Sequence, residues 1–189
     1  MPRLLVLAAH PLETKYFPDD VDLVLTGVGM SAAAVRTTEA VLTRCPDPVL
    51  RDELTVLNIG SAGALRDGLS GVHEPSRIIN RDVDEELLRA AGIPVDNVIE
   101  LGGHGLVLAT GDSFVAGGAV RDALAVRADL VDMEGWAVAV ACRHLGVRLR
   151  MVKHVSDAAD EAALAWSEKV EVSALALGRW FHDSGITAG

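Results

Sequence analysis

Short runs rich in Val, Ile and Leu recur along the chain and alternate with stretches whose apolar positions repeat every three to four residues, the periods of strands and helices. The runs predict strands over residues 4–8, 22–26, 54–59, 105–109, 130–133 and 149–155. The helical periods predict helices over residues 31–44, 84–91, 118–126, 135–145 and 162–181. Most of the strand runs are continuously apolar, whereas a strand with one wet face would alternate, so they read as strands buried on both sides. This rhythm predicts an α/β fold: a single domain over residues 1–189, with a mostly parallel, twisted central sheet covered by helices on both faces. Ser31 and Asp84 stand where helix N-caps are expected, and the proline-bearing stretches 45–48 and 71–75 are expected to be surface connections. No repeat, low-complexity tract or linker breaks the pattern.

Composition narrows the ligand. Aromatic residues make up only 4% of the chain, so the core must come from Ala, Val and Leu, which suits close packing of helices on a sheet. Asp and Glu outnumber Lys and Arg by 27 to 17, a formal charge of -10 that disfavours nucleic acid and anionic lipid and points to a small molecule. The two cysteines, Cys45 and Cys142, provide neither a disulfide framework nor a zinc site. With the most apolar run, 136–142, far too short to span a membrane, and no signal-peptide architecture at the start, a cytoplasmic protein is expected.

Ligands of such sheets lie beyond the carboxyl ends of the strands, so the residues just after each predicted strand carry the information. After the first come Ala9-His10-Pro11-Leu12-Glu13. Glu13 has the chemistry to orient water or hold a cation, and equally that of an exposed acid at a helix start; His10 reads as a loop residue. After the second, Gly27-Val28-Gly29-Met30-Ser31-Ala32 matches G-x-G-x-x-A, but the acid that a dinucleotide site needs after the next strand is missing, and glycines there also serve tight packing. The third is followed by small residues through Ser61-Ala62-Gly63, which read as a loop open to close approach by a ligand. Phe114, in Gly111-Asp112-Ser113-Phe114-Val115, is placed either to stack on a planar base or to plug the core. Asp132, Glu134 and Asp157 end apolar strands, where an acid is costly unless paired or ligand-bound. Asp157 also suits a helix N-cap, and Asp132 a solvated or structural carboxylate.

Together these stretches resemble the purine nucleoside phosphorylase and nucleosidase superfamily, most closely the 5'-methylthioadenosine/S-adenosylhomocysteine nucleosidases and related nucleoside hydrolases, with the pieces in family order over nearly the whole chain. The resemblance implies a nucleoside phosphorylase-like fold and a purine nucleoside as the small-molecule partner, with no metal or cofactor, in a homodimer. It implies that Glu134 accepts hydrogen bonds from the ribose 2'- and 3'-hydroxyls with Met133 under the sugar. Asp157, positioned by Ser156, would be the general acid facing N7. Phe114 would stack on the base, Ser113 and Val115 contact it through their backbone, Ser61, Ala62 and Gly63 lie beside sugar and nucleophile, and Glu13 orient the attacking water. Lys153 stands where the nucleosidases often carry arginine near that water; it keeps the charge but loses the fork geometry.

The chain is a few dozen residues shorter than typical nucleosidases, compressed between Glu13 and Gly27 and between Arg77 and Asp84, the second being the region that in the family helps wall the pocket around the 5'-substituent. A phosphorylase would want arginines in the early glycine loops to hold phosphate, and residues 8–13 and 26–31 contain none. An acid at position 13 repels phosphate as well. The expected activity is therefore hydrolysis of the N-ribosidic bond of a purine nucleoside. The alternatives are a phosphorylase with Arg66 or Arg77 folded back to the site, a nucleoside-binding protein without turnover and, more remotely, a nicotinamide enzyme.

Overall fold

Residues 3–161, 163 and 166–186 are described by the computed structural model of the protein. Its elements follow in the order β1 (Arg3–Ala8), β2 (Leu23–Leu25), α1 (Met30–Arg44), β3 (Leu54–Ala64), β4 (Val72–His73), β5 (Arg77–Asn80), α2 (Glu85–Ala90), β6 (Val98–Glu100), β7 (Val107–Thr110), α3 (Gly118–Ala125), β8 (Leu130–Asp132), α4 (Gly135–Leu145), β9 (Arg148–Asp157) and α5 (Trp166–Asp183). The expected start of the last helix at 162 lies outside the described residues.

The strands join one sheet in the order β2-β1-β3-β8-β7-β5-β6, with β9 along β3 and β4 on β9. The pairs β1–β2, β1–β3, β3–β9, β5–β7 and β7–β8 are parallel, and β3–β8, β4–β9 and β5–β6 antiparallel, which bears out the mostly parallel sheet. Alternate residues of β1 face opposite helical layers. Leu5 and Leu7 pack with Ala33 and Val41 of α1 and Val138 and Cys142 of α4; Val6 and Ala8 pack with Leu57, Leu177 and Phe181 on the side of α5. Small side chains such as Ala33, Ala137 and Ala139 let the helices approach closely, and truncating a core leucine such as Leu57 to Ala would cost about 2–5 kcal/mol.

Three expectations are corrected. The small residues 60–64 are not a loop: β3 continues to Ala64, held in extended form by β9, whose register along it shifts between Ala62 and Gly63, and at Gly63 and Ala64 by β8. Pairing on both edges overrides their poor β-propensity. Residues 71–75 are not merely a surface connection, because Val72 and His73 pair with His154 and Lys153; Cys45, in the other supposed connection, is buried. Helix α1 begins on Gly29, not on Ser31, and no side chain of its own caps it. Asp84 does cap α2, accepting from the Leu87 N–H at 2.9 Å. Strands β4, β5 and β6 escape the hydrophobic pattern since each has at most four residues, and the two buried isoleucines of β5 lie between Arg77 and Asn80.

Candidate active site

A cavity of about 430 Å³ opens at the carboxyl ends of β1, β3, β7, β8 and β9. Glu13, Ser61, Ala62, Gly63, Phe114, Val115, Met133, Glu134, Ser156 and Asp157 all line it. Ser113 and Lys153 are not among its lining residues: Ser113 is exposed, and Lys153 is buried against Asp132. Arg81, Asp132 and Trp166 line it too, although the motifs did not point to Arg81 or Trp166 and left Asp132 as a structural acid.

Glu13 sits in the short 3-10 turn Pro11–Thr14 that follows β1, and it is buried rather than an exposed helix-start acid. Its Oε2 accepts from the His10 N–H at 3.2 Å, a local capping box, and its Oε1 accepts from Ser61 N–H at 2.7 Å and from the Ser61 hydroxyl at 2.8 Å. Three donors thus fix a carboxylate at the cavity wall.

Asp157 ends β9, with Oδ1 accepting from the Ala159 N–H at 2.9 Å and Oδ2 from the Ser156 hydroxyl at 2.6 Å. This is a local turn and not the helix N-cap expected of it, since Asp157 still belongs to β9 and α5 begins only at Trp166, and the side chain also lines the cavity. Ser156 has a second acceptor, the Ala62 carbonyl at 3.4 Å, so its hydroxyl can release Asp157 without being stranded. Phe114 is half exposed and not a core plug, while Val115 is buried beneath it. Arg81 braces this loop: its guanidinium donates to the Ser113 hydroxyl and the Gly111 carbonyl, each at 2.8 Å, and to the Ser113 carbonyl.

Asp132, Glu134 and Lys153 form a buried charged cluster. The Asp132 carboxylate accepts from the Thr110 hydroxyl and, at 2.9 Å, from the Gly135 N–H, and its Oδ2 lies 3.0 Å from Lys153 Nζ. Burial pulls the Lys153 pKa down, but the charges of Asp132, Glu134 and Glu13 outweigh it and the net shift is upward, so the lysine stays charged. Glu134 is pushed up to about 7, by burial first and then by Asp132, against the pull of the Gly29 N–H and Lys153.

The start of α1 closes this side. Gly29 has φ 94, and a Cβ there would stand 3.1 Å from Asp112 Oδ1, so only glycine fits without strain. The Gly29 N–H donates to Glu134 Oε1 at 2.8 Å and the Met30 N–H to Asp112 Oδ1 at 2.6 Å. Two acids from distant strand ends thereby satisfy amides that the helix leaves open.

The phosphorylase superfamily model matches residues 103–179, and the α/β fold that carries the cavity and its strand-end acids is similar to that of solved nucleosidases. Among curated proteins the chain is similar to the 5'-methylthioadenosine/S-adenosylhomocysteine nucleosidase of Staphylococcus carnosus, 29% identical with 85% of this chain and 79% of that protein covered, and to that of Actinobacillus succinogenes, 29% identical over 82% and 75%. Among solved structures it resembles a Helicobacter pylori nucleosidase mutant with 5'-methylthioadenosine in the active site (TM-score 0.80, 22% identity, 97% of each chain). It also resembles the futalosine hydrolase of the same organism (TM-score 0.71, 18% identity, 95% of each chain).

Proposed function

We propose that this protein hydrolyses the N-ribosidic bond of a purine nucleoside of the adenosine type, 5'-substituted or not, releasing the free base and a free sugar. The observation that carries the reading is the convergence of Glu13, Glu134 and Asp157 on one cavity, each held by hydrogen bonds in a different place. The named activities of the relatives agree with it.

In this reading the purine stacks on Phe114 and presents N7 to Asp157, which donates a proton as the bond breaks. Protonation makes the base a better leaving group, and general acid catalysis of this kind is worth roughly a hundred- to ten-thousand-fold. Glu134, with Oε1 on the Gly29 amide, keeps Oε2 for the ribose hydroxyls. Donors from those hydroxyls favour the ionised carboxylate, which offsets the burial that raises its pKa. Glu13, Asp132 and Glu134 gather around Lys153, and their combined negative charge stabilises an oxocarbenium-like sugar in a buried site. Glu13 orients the water that attacks the anomeric carbon.

Water is favoured over phosphate for three reasons. The α1 amides that would cradle an anion are engaged by Glu134 and Asp112. Arg66 and Arg77 are paired with Asp129 and Glu100 and do not line the cavity. Arg81, which does line it, directs its terminal nitrogens to loop oxygens. The same engaged amides leave no place for a dinucleotide pyrophosphate at the G-x-G-x-x-A turn.

The test is incubation with a panel of purine nucleosides with and without phosphate, followed by chromatography of base and sugar. Free base with a reducing ribose or 5'-substituted ribose is expected in phosphate-free buffer, and Glu13→Gln should slow its release strongly with little change in base affinity. Ribose 1-phosphate as the main product would favour the phosphorylase, and bound nucleoside without base release the binding protein. By the same resemblance we propose that residues 1–189 act as one domain in a cytoplasmic homodimer; light scattering on the purified chain tests the dimer.

A further inference from the structure

Trp166, the first residue of α5, lines the cavity and places its indole Nε1 2.8 Å from Ser61 Oγ. An indole N–H only donates, so Ser61 Oγ must be the acceptor, and its single hydrogen is left to point elsewhere. Glu13 Oε1 lies 2.8 Å away to receive it. The polarity of the chain Trp166 N–H to Ser61 O–H to Glu13 carboxylate is therefore fixed from both ends, by a group that only donates and a carboxylate that only accepts.

Two further observations tie α5 to the Glu13 turn. On the outer side, Lys15 Nζ and the Tyr16 hydroxyl, just past the turn, both donate to Glu171, five residues after Trp166. On the inner side, the His10 ring meets the Trp166 ring edge-on at 5.5 Å. Between them, a Cβ on Gly60 would stand 3.2 Å from Glu13 Oε1 and 3.4 Å from Lys153 Nζ, so the glycine before Ser61 lets the carboxylate and the lysine come close.

We infer that Trp166 is a positioning residue for the nucleophile: its N–H locks the Ser61 hydroxyl as a donor to Glu13, fixing the carboxylate in the orientation that aims the attacking water. The inference rests on the hydrolase reading and extends it to a residue that need not touch the reacting atoms. The orientation of Glu13 then depends on the seating of α5, whose later turns bury Leu177 and Phe181 against the sheet.

The experiment is a double-mutant cycle on nucleoside hydrolysis with Trp166→Phe, Ser61→Ala and the pair. Phenylalanine keeps an apolar ring and removes only the donor, and Ser61→Ala leaves the Ser61 N–H bond to Glu13, so turnover persists in every variant. Trp166→Phe should lower kcat roughly 3- to 10-fold, the worth of one neutral hydrogen bond, with adenine affinity and KM nearly unchanged. In the Ser61→Ala background it should change kcat less than about twofold, since coupled residues act as a unit. Equal losses of kcat in both backgrounds, a change in KM alone, or wild-type turnover in Trp166→Phe would each overturn the inference. Absence of base release by the unmutated protein would instead overturn the hydrolase reading itself.

Discussion

Lys153 Nζ lies 3.0 Å from Asp132 Oδ2, and the two side chains are 2% and 1% exposed, so the ion pair is sealed from water. A pair so buried adds little net stability, but neither partner can be removed cheaply, because the survivor is an uncompensated charge in a poor solvent. Lys153→Met should destabilise the fold by about 3–5 kcal/mol, measured by urea unfolding at neutral pH. A loss below 1 kcal/mol would mean that water reaches the cluster.

Asp157→Asn preserves the acceptor for the Ala159 N–H and the shape of the turn but cannot release a proton at neutral pH. Turnover should fall roughly a hundred- to ten-thousand-fold, while adenine binding by calorimetry stays within a few-fold. Near-normal turnover in a folded variant would remove Asp157 from the role of acid.

Glu134 makes a pH signature. Its carboxyl has a folded pKa of about 7 against an ordinary value of 4.5, so the fold holds a proton that the unfolded chain gives up first. That contribution to stability is present below pH 4.5 and is lost as pH rises through about 7. In the proposed reading the ribose hydroxyls bind the ionised form, so nucleoside affinity should run the other way, tightening about tenfold between pH 6 and pH 8. Glu134→Gln should flatten both profiles, in thermal melts and in titrations with the nucleoside, and should erase discrimination against substrates lacking the 2'- or 3'-hydroxyl. Unchanged pH profiles in the variant would assign the dependence to another group.

Arg81 braces the loop that carries Phe114 through that loop's hydroxyl and carbonyl oxygens, with Asp82 Oδ1 3.5 Å from its Nη1. Burial lowers its pKa, yet nearby Asp82, Asp132 and Asp112 keep the cation supported. Arg81→Met should free the Gly111 and Ser113 carbonyls and blur the position of the ring. Base affinity should drop roughly tenfold, the loss expected for one charged hydrogen bond, and a variant that binds adenine as tightly as the parent would show the loop to be rigid on its own.

The acids of the site were legible only in part. Glu134 and Asp157 end apolar runs, where an acid is costly unless paired or ligand-bound, whereas Glu13 read equally well as an exposed acid at a helix start, and the separate roles of the three came with the family resemblance. The partners that orient them were not legible. Trp166 begins a helix whose apolar spacing reads as ordinary core, and its bond to Ser61 spans 105 residues. Arg81 follows β5, a strand too short to leave a period, and reaches across 32 residues to Ser113. The extended course of residues 60–64 was hidden for a related reason: glycine, serine and alanine carry little strand preference, and only pairing with β8 and β9 imposes it.

The borrowed caps of α1 also bear on how the protein assembles. Gly29 reaches Glu134 across 105 residues and Met30 reaches Asp112 across 82, so neither amide can be satisfied by its own neighbourhood while the chain is still collapsing. Closing contacts of that separation is slow, since chain entropy is lost before any bond repays it. The first turn of α1 therefore gains these acceptors only when the ends of β7 and β8 have docked, which ties the Glu134 side of the cavity to contacts distant in sequence.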